Sequence, residues 1–198
     1  MNSYSNKEKN LIVTVFDNKD SFNVKHPLTN EWVLWYDCPN KKITNQNWIE
    51  NIKQVHKIDS VEDFWGVYNN ILKSSTLSFG SNYYLFKNGI KPMWEDPSNE
   101  NGGKWSIQLK KISEVDNIWL NTILNCLGEN FYDDENNIDY NHEITGVIVN
   151  IRKYQDKVNV WLKDKNNKPA IEFVGNKIKS IIKELCQDII VVTYQDHC

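Results

Sequence analysis

The sequence predicts an α+β fold, and three observations carry that reading. Three segments repeat apolar residues at helical spacing, each with a recognisable end signal. Between them stand short runs rich in β-branched and aromatic residues. Two of these runs, 147–152 and 157–162, alternate apolar and polar residues around a four-residue turn, the pattern of a hairpin. At 198 residues the chain is read as one domain over 26–198 with a sizeable core, preceded by an N-terminal extension over 1–25.

The extension is polar and is expected to be mostly flexible, except for Leu11, Ile12, Val13, Thr14, Val15 and Phe16, which have strong β propensity. That run is either paired with a sheet edge or a chance apolar cluster in a disordered tail. Strands follow at 32–36 and 52–58, separated by a polar loop that ends at Trp48. Ser60, Val61, Glu62 and Asp63 resemble a capping box and open a helix with Val61, Phe64, Trp65, Tyr68, Ile71 and Leu72 at helical spacing. Strands at 83–86 and 105–109 bracket a loop dense in Gly, Pro and Asn. A second helix starts near Ser113 and stops at Gly128; its stripe is Val115, Ile118, Trp119, Thr122, Ile123 and Cys126, with Leu120 and Leu124 partly off it. Residues 130–145 are acidic and Asn-rich and read as an exposed insertion. Pro169 opens a third helix whose apolar stripe is Ile171, Val174, Ile178, Ile181 and Leu185, and 189–194 is a final β-rich run.

Composition narrows the function. A net charge of −3 argues against a protein that coats nucleic-acid backbone, so any RNA contact is local. Four cysteines without C-x-x-C spacing read as reduced thiols in a cytoplasmic or nuclear protein, with no zinc site. No signal peptide is expected, and no apolar run is long enough to span a membrane. No nucleophile, base and oxyanion set is visible, so neither an enzyme nor a cofactor is expected. The excess of lysine and asparagine is read as codon bias, against which Arg152, the single arginine, stands out as a planar fork that lysine cannot replace. Eight tryptophans exceed what a core of this size needs and point to stacking surfaces.

Two constellations carry chemistry. Trp94 and Glu95 sit side by side on the turn-rich loop. Either Trp94 folds back as a lid over the core, or it offers a π-face to a planar ligand while Glu95 accepts hydrogen bonds from that ligand's edge, as a guanine would allow. On the hairpin, alternation sends Val147, Val149, Ile151, Val158, Val160 and Leu162 to the core, and Arg152, Lys157 and Trp161 to the opposite face. Two cations beside an aromatic suit a phosphorylated planar ligand, or else they form an ordinary solvated face.

These pieces, in this order, resemble the eukaryotic translation initiation factor 4E family, which binds the 7-methylguanosine cap of messenger RNA. The matching text is His26-Pro27-Leu28, Val61-Glu62-Asp63-Phe64-Trp65, Leu85-Phe86-Lys87, Met93-Trp94-Glu95-Asp96, Gly102-Gly103-Lys104-Trp105 and the Arg152 hairpin, spanning about His26 to His197. The resemblance implies a curved, mostly antiparallel sheet cupping the ligand, with three helices on the convex back. It implies that Trp48 and Trp94 sandwich the base, Glu95 reads the guanine edge, Trp161 touches the 7-methyl group, and Arg152, Lys157 and Lys104 hold the triphosphate. On the back, His26, Pro27, Val61, Trp65, Leu120 and Leu124 match positions that receive a tyrosine-x4-leucine-apolar helix from the scaffold factor 4G or from a 4E-binding repressor. The expected protein is a monomer that takes capped messenger RNA as its ligand and needs no cofactor.

Four departures from the family pattern stand out. Lys104 replaces an arginine and Asn121 an acidic residue, the 130–145 loop is long, and the chain ends before the family's C-terminal loop and last strand. Two other functions compete. One is a cap-binding repressor of the same family, which Trp48 argues against because such members often carry tyrosine or phenylalanine there. The other is a carbohydrate-binding module, which would leave Arg152 and Lys157 idle.

Overall fold

A computed structural model describes residues 24–39, 51–110, 114–185 and 191–197. The strand expected at 11–16 and the loop leading to Trp48 lie outside the described residues, as do Cys186 and Cys198. In chain order the elements are β1 (Pro27–Asp37), β2 (Lys53–Ser60), α1 (Val61–Tyr68), β3 (Asn82–Lys87), β4 (Gly103–Lys110), α2 (Val115–Leu127), β5 (Tyr132–Asp133), β6 (Ile138–Asp139), β7 (Ile144–Asn150), β8 (Gln155–Leu162), α3 (Lys168–Leu185) and β9 (Val191–Asp196). Seven strands form one curved sheet in the order β2-β1-β3-β7-β8-β4-β9, and every neighbouring pair is antiparallel. Register shifts in β1 against β2 and in β7 against β8 mark bulges, which bend a sheet and increase its twist.

Alternation along the strands builds two unequal faces. Leu34, Leu85, Trp105, Ile107, Val147, Val149, Val158 and Val160 point to one side, where Phe64 of α1, Trp119 of α2 and Val174 of α3 join them in the main core. Among the described residues the other side carries only a small cluster, Ile52, Tyr84, Phe86, Ile148 and Trp161, with Trp35 and Ile90 against it. All three helices therefore cover one face, leaving the concave face for something else.

Several expectations shift in detail. Helix α1 ends at Tyr68, so Ile71 and Leu72 lie beyond it, and Leu72 is exposed. The cause is local: Asn69 caps the last turn through its backbone N–H, and Asn70 Nδ2 bonds the Gly66 carbonyl at 2.7 Å, competing with a further turn. In α3 it is Ile182 that is buried, with Ile181 only half so. The 130–145 insertion is exposed at its β5-β6 tip, but its base is core. Phe131 is fully buried, and the Asn141 side chain accepts from Phe131 N at 2.9 Å and donates to the Glu129 carbonyl at 2.9 Å. Arg152 sits in the turn after β7, because the strand ends at Asn150.

One close contact fixes α3 on the sheet. A Cβ on Gly175 would stand 2.2 Å from Cζ2 of Trp105, and that indole cannot retreat because its Nε1 donates to the Ile171 carbonyl at 3.0 Å. Gly175→Ala is expected to cost about 1–3 kcal/mol, the scale of an overpacked core. Urea denaturation checks this, and an unchanged midpoint would mean that α3 slides freely.

Candidate functional site

Two adjoining depressions open on the concave face. The first, about 440 Å³, runs over β7, β8 and β4, with Lys104, Arg152 and Lys157 as its charged walls and Asn150, Asn159 and Ser106 among its polar ones. No carboxylate is among its described lining residues, in a chain whose net charge is −3. Such a trough attracts an anion. The second, about 480 Å³, lies between Trp94, His197 and Trp161, and the two share Lys104, Trp161 and Gln195. A ligand lying along both would meet an aromatic end first and a cationic end second.

The floor of the first depression is held by a chain of side-chain hydrogen bonds across the strands. Ser106 Oγ donates to Asn159 Oδ1 at 2.5 Å, Asn159 Nδ2 to Asn150 Oδ1 at 2.7 Å, Asn150 Nδ2 to Asn82 Oδ1 at 2.7 Å, and Asn82 Nδ2 to Asp37 Oδ1 at 2.5 Å. The chain ends on a half-buried carboxylate whose pKa burial pushes up. Burial, helped by the Asp37 charge, also drives the neighbouring Tyr84 hydroxyl upward. Arg152 is fixed at this end: its N–H donates to Asp156 Oδ1 at 2.8 Å and its Nη1 to the Ile151 carbonyl at 3.0 Å.

Trp94 is half-exposed, and the lid over the core does not form. Its loop is nevertheless tightly tied. Asp96 accepts from Lys91 N and Ser98 N, both at 2.9 Å. The fully buried Asn99 donates from Nδ2 to the Lys91 and Met93 carbonyls at 3.0 and 2.9 Å. Its own carbonyl accepts from His197 Nδ1 at 2.7 Å, which fixes that ring's tautomer, and burial lowers the His197 pKa. The His197 ring lies 4.1 Å from that of Trp161, so the wall between loop and hairpin is continuous.

The structure thus brings Trp94, Lys104, Arg152, Lys157 and Trp161 to one face. Trp161 is not a free stacking surface there: it is 7% exposed, edge-on to Phe86 at 5.4 Å. Glu95 stands exposed next to Trp94 and does not line either depression. Trp48 lies outside the described residues. Asn99, Asp96, His197 and the asparagine chain were not singled out in the sequence. A polar residue spaced two on from a strand partner or set inside a turn-rich loop is the only signal they leave.

On the helix side, Val61 and Trp65 remain exposed at 40% and 37%, while Leu120 and Leu124 of α2 are half-buried. Phe64 of α1 and Trp119 of α2 line one apolar cleft, so the two helices are neighbours. The chain before β1 is clasped to α1: His26 N donates to Glu62 Oε2 at 2.8 Å, His26 Nδ1 lies 2.6 Å from Glu62 Oε1, and Lys25 pairs with Asp63 at 3.1 Å. The His26 contacts hold the Glu62 carboxyl down at about 2. Asn121 Nδ2 bonds the Asn117 carbonyl at 2.9 Å.

Asn99→Ala removes two hydrogen bonds from a buried site and is expected to cost about 1–3 kcal/mol. It should also raise amide exchange across residues 91–102 without raising it in β7. Unchanged exchange in that loop would show that Asp96 alone holds it.

Comparison with known proteins agrees with this fold. A family profile described as Eukaryotic initiation factor 4E matches residues 27–198. The chain is similar to the eukaryotic translation initiation factor 4E of Dictyostelium discoideum, 43% identical over 173 residues that cover 87% of this chain and 66% of that protein. It is also similar in structure to Ascaris suum eIF4E-3, solved in complex with the m2,2,7G cap, with a TM-score of 0.79, 36% identity, and coverage of 88% of this chain and 93% of that one. Caenorhabditis elegans eIF4E-3, solved with the 4E-binding protein Mextli and a cap analog, aligns with a TM-score of 0.75 at 36% identity over 86% of this chain and 92% of that one.

Proposed function

Since the chain belongs to the eukaryotic initiation factor 4E family, we propose that it binds the 7-methylguanosine cap of messenger RNA and recruits a partner protein through the helix-covered face. The observation that carries the reading is the pair of joined depressions, with Trp94 at one end and, at the other, three cations with no carboxylate among the described lining residues. A planar base linked to a polyphosphate has that same polarity. The activity is binding, not catalysis.

The roles follow from the chemistry. Trp94 stacks on the base, and Trp48 is assigned the opposite face by the family pattern. Methylation at N7 makes the purine cationic, which strengthens its attraction to indole faces. It also makes the ring N–H a better donor to Glu95, whose exposure leaves it able to turn toward a ligand stacked on Trp94. Lys104, Arg152 and Lys157 take the phosphates. Trp161, wedged against Phe86, serves as a fixed wall near the methyl group.

Titration of cap analogues tests this reading. The 7-methylated triphosphate should bind more tightly than plain guanosine triphosphate, and equal affinity would sink the proposal. Trp94→Ala is expected to cost about 1–3 kcal/mol, and Glu95→Ala about 1.5–3 kcal/mol for the loss of a charged acceptor. Arg152→Ala should weaken the triphosphate far more than the bare nucleoside.

The partner site combines Val61 and Trp65 with Leu120, Leu124, His26 and Pro27, and takes an amphipathic helix from a 4G-type scaffold or a 4E-binding repressor. Trp65→Ala is expected to remove about 2 kcal/mol or more of that affinity while leaving cap affinity within about twofold. Retention of a tyrosine-x4-leucine peptide by the mutant on cap resin would move the interface elsewhere.

A further inference from the structure

The concave site has a direction: Trp94 stands at one end and Arg152 and Lys157 at the other. The turn that joins β7 to β8 adjoins the cationic end, since Arg152 lies in it and Lys157 follows it in β8. That turn carries Tyr154, which is 79% exposed, the largest exposure among the large hydrophobic side chains described. Tyrosine usually buries most of its ring, so a ring this exposed, in the turn next to a cationic trough, calls for a reason. Its Cα lies two residues from that of Arg152, within about 7 Å along the chain.

The turn that carries the ring is itself tied down. Asp156, 3% exposed, accepts the Arg152 N–H at 2.8 Å and closes the turn. Ile151 exchanges backbone hydrogen bonds with the 80–81 segment, Gly80 N to Ile151 O at 2.7 Å and Ile151 N to Ser81 O at 3.0 Å. Next to Gly80 stands Phe79, itself 58% exposed. Lys153 Nζ lies 5.1 Å from the centre of the Tyr154 ring. An exposed aromatic with a cation beside it is the arrangement that takes a nucleobase without regard to its identity.

We propose that Tyr154 is a stacking platform for the first transcribed nucleotides of a capped RNA, with Lys153 on the backbone that leaves the site. The proposal rests on the cap-binding reading and extends it from the cap itself to the RNA attached to it. Tyr154 contributes nothing to the bound base or its phosphates, so its effect should be confined to ligands that continue beyond the triphosphate.

Isothermal titration of the full chain with two probes separates the possibilities: 7-methylguanosine triphosphate, and the 7-methylguanosine-capped dinucleotide m7GpppApA. Tyr154→Ala should weaken the capped dinucleotide by roughly fivefold or more, the lower end of base–aromatic stacking, and leave the triphosphate within about twofold. Tyr154→Phe, which keeps the ring, should bind both as the unaltered chain does. Equal affinity of Tyr154→Ala and the unaltered chain for the capped dinucleotide overturns the proposal and leaves cap binding intact. An equal loss for both probes also overturns it, since Tyr154 would then support the hairpin instead of contacting RNA. Failure of the unaltered chain to bind the triphosphate overturns the cap reading and this extension together.

Discussion

One run of side-chain hydrogen bonds, from Ser106 through Asn159, Asn150 and Asn82 to Asp37, sets the conditions for the concave face. A sheet face left uncovered by helices has two options, an apolar surface that invites aggregation or a polar one that must satisfy its own groups. Here each amide donates to the next and accepts from the one before, so these buried or half-buried groups are paired without solvent. Because every N–H points the same way, each bond polarises the next, and the run ends on a carboxylate. The result is a stiff floor that crosses five strands, on which the cations of the hairpin and of β4 keep fixed spacings.

The stacking end is organised by a different device on the same scale. Trp94 is not held by packing, since half of it is exposed; it is held by a backbone that Asp96 and Asn99 lock from inside. A locked backbone lowers the entropy lost when a ligand docks, and the exposed side chain keeps the ring accessible. His197 joins this loop to Trp161, so the loop and the hairpin form one wall. Pre-organisation of this kind suits a ligand that brings few contacts of its own.

The helix-side core was legible in the sequence because period-2 and period-3.6 patterns are written in apolar residues, and Val147, Val149, Val158, Val160 and the α2 stripe lie where the pattern puts them. Trp94, Arg152 and Lys157, which line the two depressions, stood out as candidates because their chemistry is uncommon for their surroundings. The asparagines were not. Asn82, Asn99, Asn141, Asn150 and Asn159 sit in a chain full of asparagine, where composition alone accounts for abundance, yet each bonds a specific partner in the fold. An amide's role depends on what lies across the strand or the loop, and that information is in the register, not in the local sequence. The end of α1 escaped for a similar reason: Val67 and Ile71 continue the apolar spacing while Asn69 and Asn70 divert the backbone.

The two faces share strands but not neighbours. The proposed partner surface is built on α1, which follows edge strand β2, whereas the cationic trough lies over β7, β8 and β4 toward the opposite edge. Strands stand about 4.8 Å apart, so β2 and β8 are separated by roughly 19 Å across the sheet. That exceeds the Debye length of about 8 Å at physiological ionic strength, so charge at one site is screened from the other. What remains is mechanical coupling through β1 and β3, which carry the buried core residues Leu34 and Leu85. Occupancy of the two sites is therefore expected to be nearly additive, and any strong coupling between cap and partner must come from a segment that contacts both, not from the sheet.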